Sequence, residues 1–237
     1  MFATHGSDKR TPSIGLSMQT YRDFAPAVYV SPGENRPEDA FADILCRAVK
    51  SQFQYVVYAD ADCFICSVEN LVRVFTAFKE GRFVFAGMPD GGCVPIRAHN
   101  KYLVNPFFSM FDVRQVSEAM PLKKNFKALD KLDDVNQAYL KLCLAKSPCT
   151  AKSISSIDSF EKYYGLFSQL AAGRKIMYLT AGEYKCQADP TTAIYVDAAR
   201  REGVVCLHSW YARQRSKENQ DRIKAIFDES RRLAAGK

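Results

Sequence analysis

Apolar residues recur along this chain in two rhythms. Short runs rich in β-branched and aromatic residues, "MFATHG", "AVYVSPGENRP", "FQYVVYADADCFI" and "RFVFAGM", read as strands. Between them apolar residues return every three or four positions, the rhythm of an amphipathic helix. "TPSIGLSMQTYRDF" reads as a helix entered through a Thr or Ser cap, with Pro near its first turn. In "PEDAFADILCRAVKSQ" the residues Ala40, Phe41, Ile44, Leu45 and Ala48 share one face, and the first turn is acidic. "SVENLVRVFTAFKEG" opens on a Ser cap and closes on Gly. The first 90 residues thus alternate strand and helix, which predicts a parallel sheet covered by helices on both faces. Ligands on such sheets bind beyond the carboxyl ends of the strands.

The rest of the chain is less regular. "NPFFSMFDV" reads as a strand, antiparallel to the others, and "LDDVNQAYLKLCLA" as a helix that opens on two acids. "SFEKYYGLFSQLAAGRK" is helical with Gly173 as its stop, and "IMYLTAG" and "GVVCLHSWY" are later strands. In "GMPDGGCVPIRAHNKYLVNPFFSMFDV", Asn105 and Ser109 offer hydrogen-bonding side chains, whereas burial favours a core role for Phe107, Phe108 and Phe111. The final stretch, "SKENQDRIKAIFDESRRLAAGK", is a polar helix with a stripe of only Ile223, Ile226, Phe227 and Leu233. So thin a stripe suits a solvated or docking helix better than a membrane-surface one.

Composition narrows the class. A chain of 237 residues with 47% apolar and 25% charged residues is that of a soluble globular protein able to bury its own core. The start lacks the layout of a secretory signal, and no apolar run reaches the roughly 18 residues of a membrane span. The eight cysteines lie mostly in apolar segments and read as reduced core thiols of a cytoplasmic protein. Cys63 and Cys66 form a CxxC, but no second ligand pair has zinc-site spacing. The net charge of +7 suits an anionic ligand such as a nucleotide diphosphate, a phospholipid surface or a nucleic acid, without choosing among them.

The chemistry concentrates at "YVVYADAD", where a buried strand ends on Asp60 and Asp62. Two such close carboxylates raise each other's pKa unless a cation sits beside them, and oxygen ligands favour Mg²⁺ or Mn²⁺. One chemistry with this motif is that of HAD-like phosphohydrolases, whose first Asp is a nucleophile. There the motif ends the first strand; here two strands precede it, and Asp133 and Asp134 open a helix.

The other is glycosyl transfer. The chain resembles the GT-A glycosyltransferases over roughly residues 1–213, in element order and in the segments "MFATHG", "YADAD", "LDDVNQAYL" and "CLHSWY". The resemblance implies an α/β fold, a GT-A (Rossmann-like) mixed but mostly parallel sheet flanked by helices in a single domain. It implies a nucleotide-sugar-binding half over about 1–90 and an acceptor half over 91–213; beyond them, 214–237 read as a basic C-terminal helix that offers a peripheral membrane contact. Asp60, Asp62 and His208 are then the metal ligands for Mn²⁺ (or Mg²⁺), with Asp60 also on the ribose. Thr4, His5 and Gly6 at the end of the first strand, and Glu34 and Asn35 after the second, flank the nucleotide base. Arg47, with Lys50, is offered to the phosphates, and Arg213 to the diphosphate under a closing lid. Asp134, with Asp133 beside it, is the candidate general base, its carboxylate held ionised at a helix N-terminus, which implies an inverting course. The donor implied is a nucleotide-diphosphate sugar, UDP-sugar favoured, and the acceptor a glycan or other hydroxyl; a nucleic-acid acceptor is compatible with the charge alone. A non-catalytic nucleotide-sugar-binding module on the same fold is the remaining alternative.

Overall fold

The structure is a computed structural model that describes residues 1–6, 14–23, 25, 27–32, 37–90, 100–120, 131–147, 161–184, 191–210 and 216–236, the side chains of 32, 37–39 and 161–164 excepted. It is a mixed α/β domain built on two sheets. The alternating first part forms as expected: β1 (Phe2–Gly6), α1 (Ile14–Arg22), β2 (Val28–Pro32), α2 (Pro37–Lys50), β3 (Tyr55–Ala59), α3 (Val68–Glu80) and β5 (Phe85–Pro89). One difference matters. The stretch expected as a single strand through Ile65 breaks after Ala59, and Cys63–Ile65 form a separate strand, β4, in the other sheet. The break is a tight turn, in which the Cys63 N–H donates to the Asp60 carbonyl at 3.0 Å.

The larger sheet has the order β2-β1-β3-β6-β5-β7, with β6 (Val104–Asp112) and β7 (Ile176–Tyr178). The pairs β1–β2, β1–β3 and β5–β7 are parallel, while β6 runs antiparallel to both β3 and β5. Five strands therefore share one direction and β6 alone opposes them, so the start of β6 lies at the same edge as the ends of its neighbours. Gly87 allows β5 and β6 their close approach: a Cβ there would lie 2.2 Å from Cγ1 of Val104. The second sheet is antiparallel, with the order β4-β10-β9-β8, from β8 (Ala181–Glu183), β9 (Thr191–Asp197) and β10 (Glu202–Ser209).

Both faces of the large sheet are covered. On one side Phe41, Ile44 and Leu45 of α2 pack with residues of α4 (Val113–Glu118), α5 (Asp134–Lys146) and α6 (Glu161–Ala171) around Phe85 and Phe111. On the other, Tyr21 of α1 and Leu71, Val74 and Phe78 of α3 meet Ile194 and Cys206 of the small sheet. The alternation of β9 sends Ala193 and Tyr195 to the far face of that sheet, where Ile223 and Ile226 of α7 (Lys217–Ala234) cover them. The stripe read from the sequence of α7 is therefore a packing face on the domain. Strands from the two expected halves interleave, β6 lying between β3 and β5 and β10 beside β4, so the halves share both sheets.

Ser67 caps α3 as expected, accepting from the Asn70 N–H. Gly81 ends that helix in right-handed geometry, φ −70°, and a Cβ there would stand 2.1 Å from the Phe83 ring, which would have to shift. Gly173, by contrast, has φ +85°, the left-handed conformation that glycine adopts most readily.

Candidate metal centre

β3 delivers Asp60 to the carboxyl edge of the large sheet, and the turn that follows carries Asp62 into the small one. The turn is held from several sides. The Asp60 N–H donates to the Phe107 carbonyl at 2.7 Å, and the Ser209 N–H donates to the Asp62 carbonyl at 2.9 Å. The Tyr21 hydroxyl lies 2.5 Å from the Asp60 carbonyl and 2.6 Å from that of Cys63. Burial and the nearby thiol and carboxylates push the Tyr21 phenol well above its usual range, so it remains a donor.

β10 pairs with β4 so that His208 stands opposite Cys63, one residue beyond Asp62. His208 Nε2 is 3.3 Å from Asp62 Oδ1. The imidazole is 4% exposed and held by aromatic packing: Phe107 stacks on it at 4.1 Å and Trp210 meets it edge-on at 4.4 Å. Trp210 is itself tied by its indole N–H to Thr192 and by an Arg222 N–H donated to its carbonyl. His208 Nδ1 is buried with no hydrogen-bond partner, so packing rather than a second hydrogen bond orients the ring.

On the other side of Asp60, the Tyr58 hydroxyl donates to Oδ1, and His5 Nδ1 bonds that same hydroxyl while lying 3.4 Å from the carboxylate. Burial, then the Asp60 charge and hydrogen bond, hold the Tyr58 phenol well above its normal range, which keeps its proton on oxygen. One ligand atom each from Asp60, Asp62 and His208 lie within 4.8 Å of one another. Two partly open carboxylates and a buried imidazole form a donor set that could hold a divalent metal ion. The adjacent thiols do not compete. Burial pushes Cys63 and Cys66 well up, so they stay neutral, as read for core cysteines.

The structure thus brings His5, Asp60, Asp62 and His208 together, with Thr4 and Gly6 on the same strand end. Thr4 is fully buried, and its hydroxyl has no hydrogen-bond partner. Asn105 also lies at this edge, donating at 2.8 Å to the buried Asp90. Ser109 does not: it sits inside β6 opposite Tyr58 and Gly87, and Phe107, Phe108 and Phe111 are core. Glu34, Asn35 and Arg213 lie outside the described residues.

Three predicted residues are not brought to the cluster. Arg47 is in the last turn of α2, and a helix between parallel strands returns the chain to the edge where strands begin. Its guanidinium lies over the Tyr29 ring there. Asp133 and Asp134 begin α5. Asp133 is its N-cap, accepting from the Asn136 N–H, and Asn136 in turn accepts from the N–H of Ile176, the first residue of β7. β7 runs parallel to β3, so its start is at the edge opposite Asp60. Three inter-strand spacings of about 4.8 Å, with the difference in register, put the two sites on the order of 20 Å apart.

The sequence reading missed Tyr58 and Tyr21. Tyr58 carries a local signal, since residues i and i+2 share a face of a strand and Tyr58 is two before Asp60. Tyr21 carries none, because its contact spans from α1 to the turn.

A groove of about 720 Å³ opens at the opposite edge, lined by Phe2, Tyr29, Phe53, Tyr55, Val72 and Phe75 among others. It gathers aromatic and aliphatic side chains with Arg47, and its described lining holds no Asp, Glu, His or Cys, so we place the candidate chemistry at the carboxylates.

No family model and no curated protein matches the chain. Among solved structures, A197 from STIV is similar at 11% identity, covering 52% of this chain and 68% of that one with a TM-score of 0.38. A glycosyltransferase involved in the glycosylation of the major capsid of PBCV-1 is similar at 10% identity, covering 51% of this chain and 65% of that one with a TM-score of 0.35. Likenesses of that size carry no argument about activity. Among the described residues, no helix is long and apolar enough to cross a membrane.

Proposed function

We propose that this chain is a metal-dependent glycosyltransferase that moves a sugar from a nucleotide-diphosphate sugar to an acceptor hydroxyl. The observation that carries the reading is the convergence of Asp60, Asp62 and His208 at the carboxyl edge of a mostly parallel sheet. These three residues would hold Mn²⁺ or Mg²⁺. Such an ion, when bound, neutralises the charge of a diphosphate leaving group as a Lewis acid. His5 and Tyr58 orient the Asp60 carboxylate from one side. Phe107 and Trp210 wall off the other side of His208 and keep its ring in place. Thr4 and Gly6 line the end of β1 on the donor side, and the Asn105–Asp90 pair lies on the acceptor side. UDP remains the favoured nucleotide. No step is assigned to Asp133 or Asp134, and the inverting course that rested on them is not carried forward.

The test is calorimetric titration of UDP, then GDP, with and without Mn²⁺, on the wild type and on Asp62→Ala. The expected result is Mn²⁺-dependent binding of UDP that disappears in the variant. A folded wild type that binds neither nucleotide in Mn²⁺ overturns the reading.

A further inference from the structure

The turn that presents the two carboxylates is braced by a residue that touches neither of them. The carbonyls of Asp60 and Cys63, the first and last residues of the turn, converge on one phenol, at 2.5 and 2.6 Å from the Tyr21 hydroxyl. Tyr21 is fully buried, with the Phe2 ring 4.7 Å from its own. Its neighbour Thr20 accepts from the Ile65 N–H at 3.1 Å and donates to the Ser17 carbonyl at 2.7 Å, fixing the end of α1 against β4. Asp60 and Asp62 project from this turn, so the separation of their carboxylates follows the turn's backbone shape. Ion size makes that separation matter. Mg²⁺-sized cations demand near-octahedral geometry at about 2.1 Å, whereas Ca²⁺ accepts longer and more irregular coordination.

We propose that Tyr21 is a positioning residue that sets the spacing of the Asp60 and Asp62 carboxylates and thereby the preference of the cluster for small divalent cations over Ca²⁺. The inference rests on the metal-site reading above. With the hydroxyl removed, the turn keeps its own Cys63-to-Asp60 hydrogen bond but loses the tie across its ends. The relaxed site then loses more affinity for a small ion than for a large one.

Mn²⁺ affinity is read from the EPR signal of the free aqueous ion, and Mg²⁺ and Ca²⁺ affinities by competition, on wild type, Tyr21→Phe and Thr20→Val. Tyr21→Phe is expected to weaken Mn²⁺ binding about 10-fold, the low end for supporting residues around metal ligands, and to narrow the Mn²⁺/Ca²⁺ ratio. Thr20→Val removes a neighbouring brace without touching the turn and is expected to keep the wild-type ratio. The ratio is independent of the folded fraction, because unfolded chains drop out of both affinities. An unchanged ratio in Tyr21→Phe, whether the two affinities stay or fall together, overturns the proposal. A wild type that binds no Mn²⁺ removes the metal site itself, a result distinct from failure of the Tyr21 role. If Tyr21→Phe does not fold, 3-fluorotyrosine placed at position 21 alone supplies a stronger donor of the same shape. A wider ratio then supports the proposal and an unchanged one overturns it.

Discussion

A histidine kept for metal binding should be a poor choice for stability, and His208→Phe tests this. The imidazole is 4% exposed, and its Nδ1 has no partner. A buried, unsatisfied polar atom costs roughly 1–3 kcal/mol. Against that, Nε2 lies 3.3 Å from Asp62, a contact worth roughly 1 kcal/mol. Phenylalanine keeps the stack on Phe107 and the edge contact with Trp210. The balance favours the variant by about 1 kcal/mol, which raises Tm by about 2–4 °C for a chain of this size. The assay is thermal unfolding in EDTA and again in Mn²⁺. The variant should melt higher than wild type in EDTA, and Mn²⁺ should raise Tm only in wild type. A variant that melts lower than wild type in EDTA refutes the reasoning, because His208 would then be retained for the fold.

Two further perturbations separate fold from chemistry. Asp133→Ala removes the N-cap of α5 and should cost about 1 kcal/mol, seen in chemical denaturation, while leaving the rate of sugar transfer unchanged; a collapse of that rate would place α5 in the site. Glu229 is held below the usual carboxylate range by hydrogen bonds from Arg232 and then Tyr184, against the effect of burial. A lowered folded pKa contributes stability that is present above the unfolded value of about 4.3 and is lost as pH falls through the folded value. Glu229→Gln should therefore flatten the acid limb of a Tm-against-pH curve and leave the neutral region's slope alone.

Much of the architecture could be read from periodicity. The alternation through β5 and the reversed β6 follow from residue patterns that tertiary packing has no reason to override, and so does a strand ending on Asp60. Position along the strand axis was harder. Arg47 has the right chemistry for a phosphate contact and Asp133 for a base, but both sit at the edge where strands begin, and a helix pattern does not announce which edge its ends reach. For Arg47 the information was present: the last turn of a helix that feeds the "YVVY" strand must lie a strand length from that strand's carboxyl end. The break at Asp60 was hidden because "CFI" has the same strand-forming character as "YVVYA", and only its pairing with β10 shows that it belongs to another sheet. Tyr21 lay beyond sequence reasoning, since a buried tyrosine in a helix looks like any core residue until its hydroxyl's partners are known.

The passage of residues 55–65 from one sheet to the other also bears on how the chain matures. Among the described residues, β4 pairs in the small sheet only with β10, which lies far along the chain. During synthesis β1 to β3 can pair early, while the apolar "CFI" strand waits for a partner and exposes an open edge. The pair of carboxylates at the head of that edge then has a consequence that needs no bound ligand. Two adjacent negative charges discourage a second nascent chain from pairing with it, the role of gatekeeper residues beside unavoidable hydrophobic strands. When β10 docks, it covers the edge and brings His208 to Asp62 in the same step.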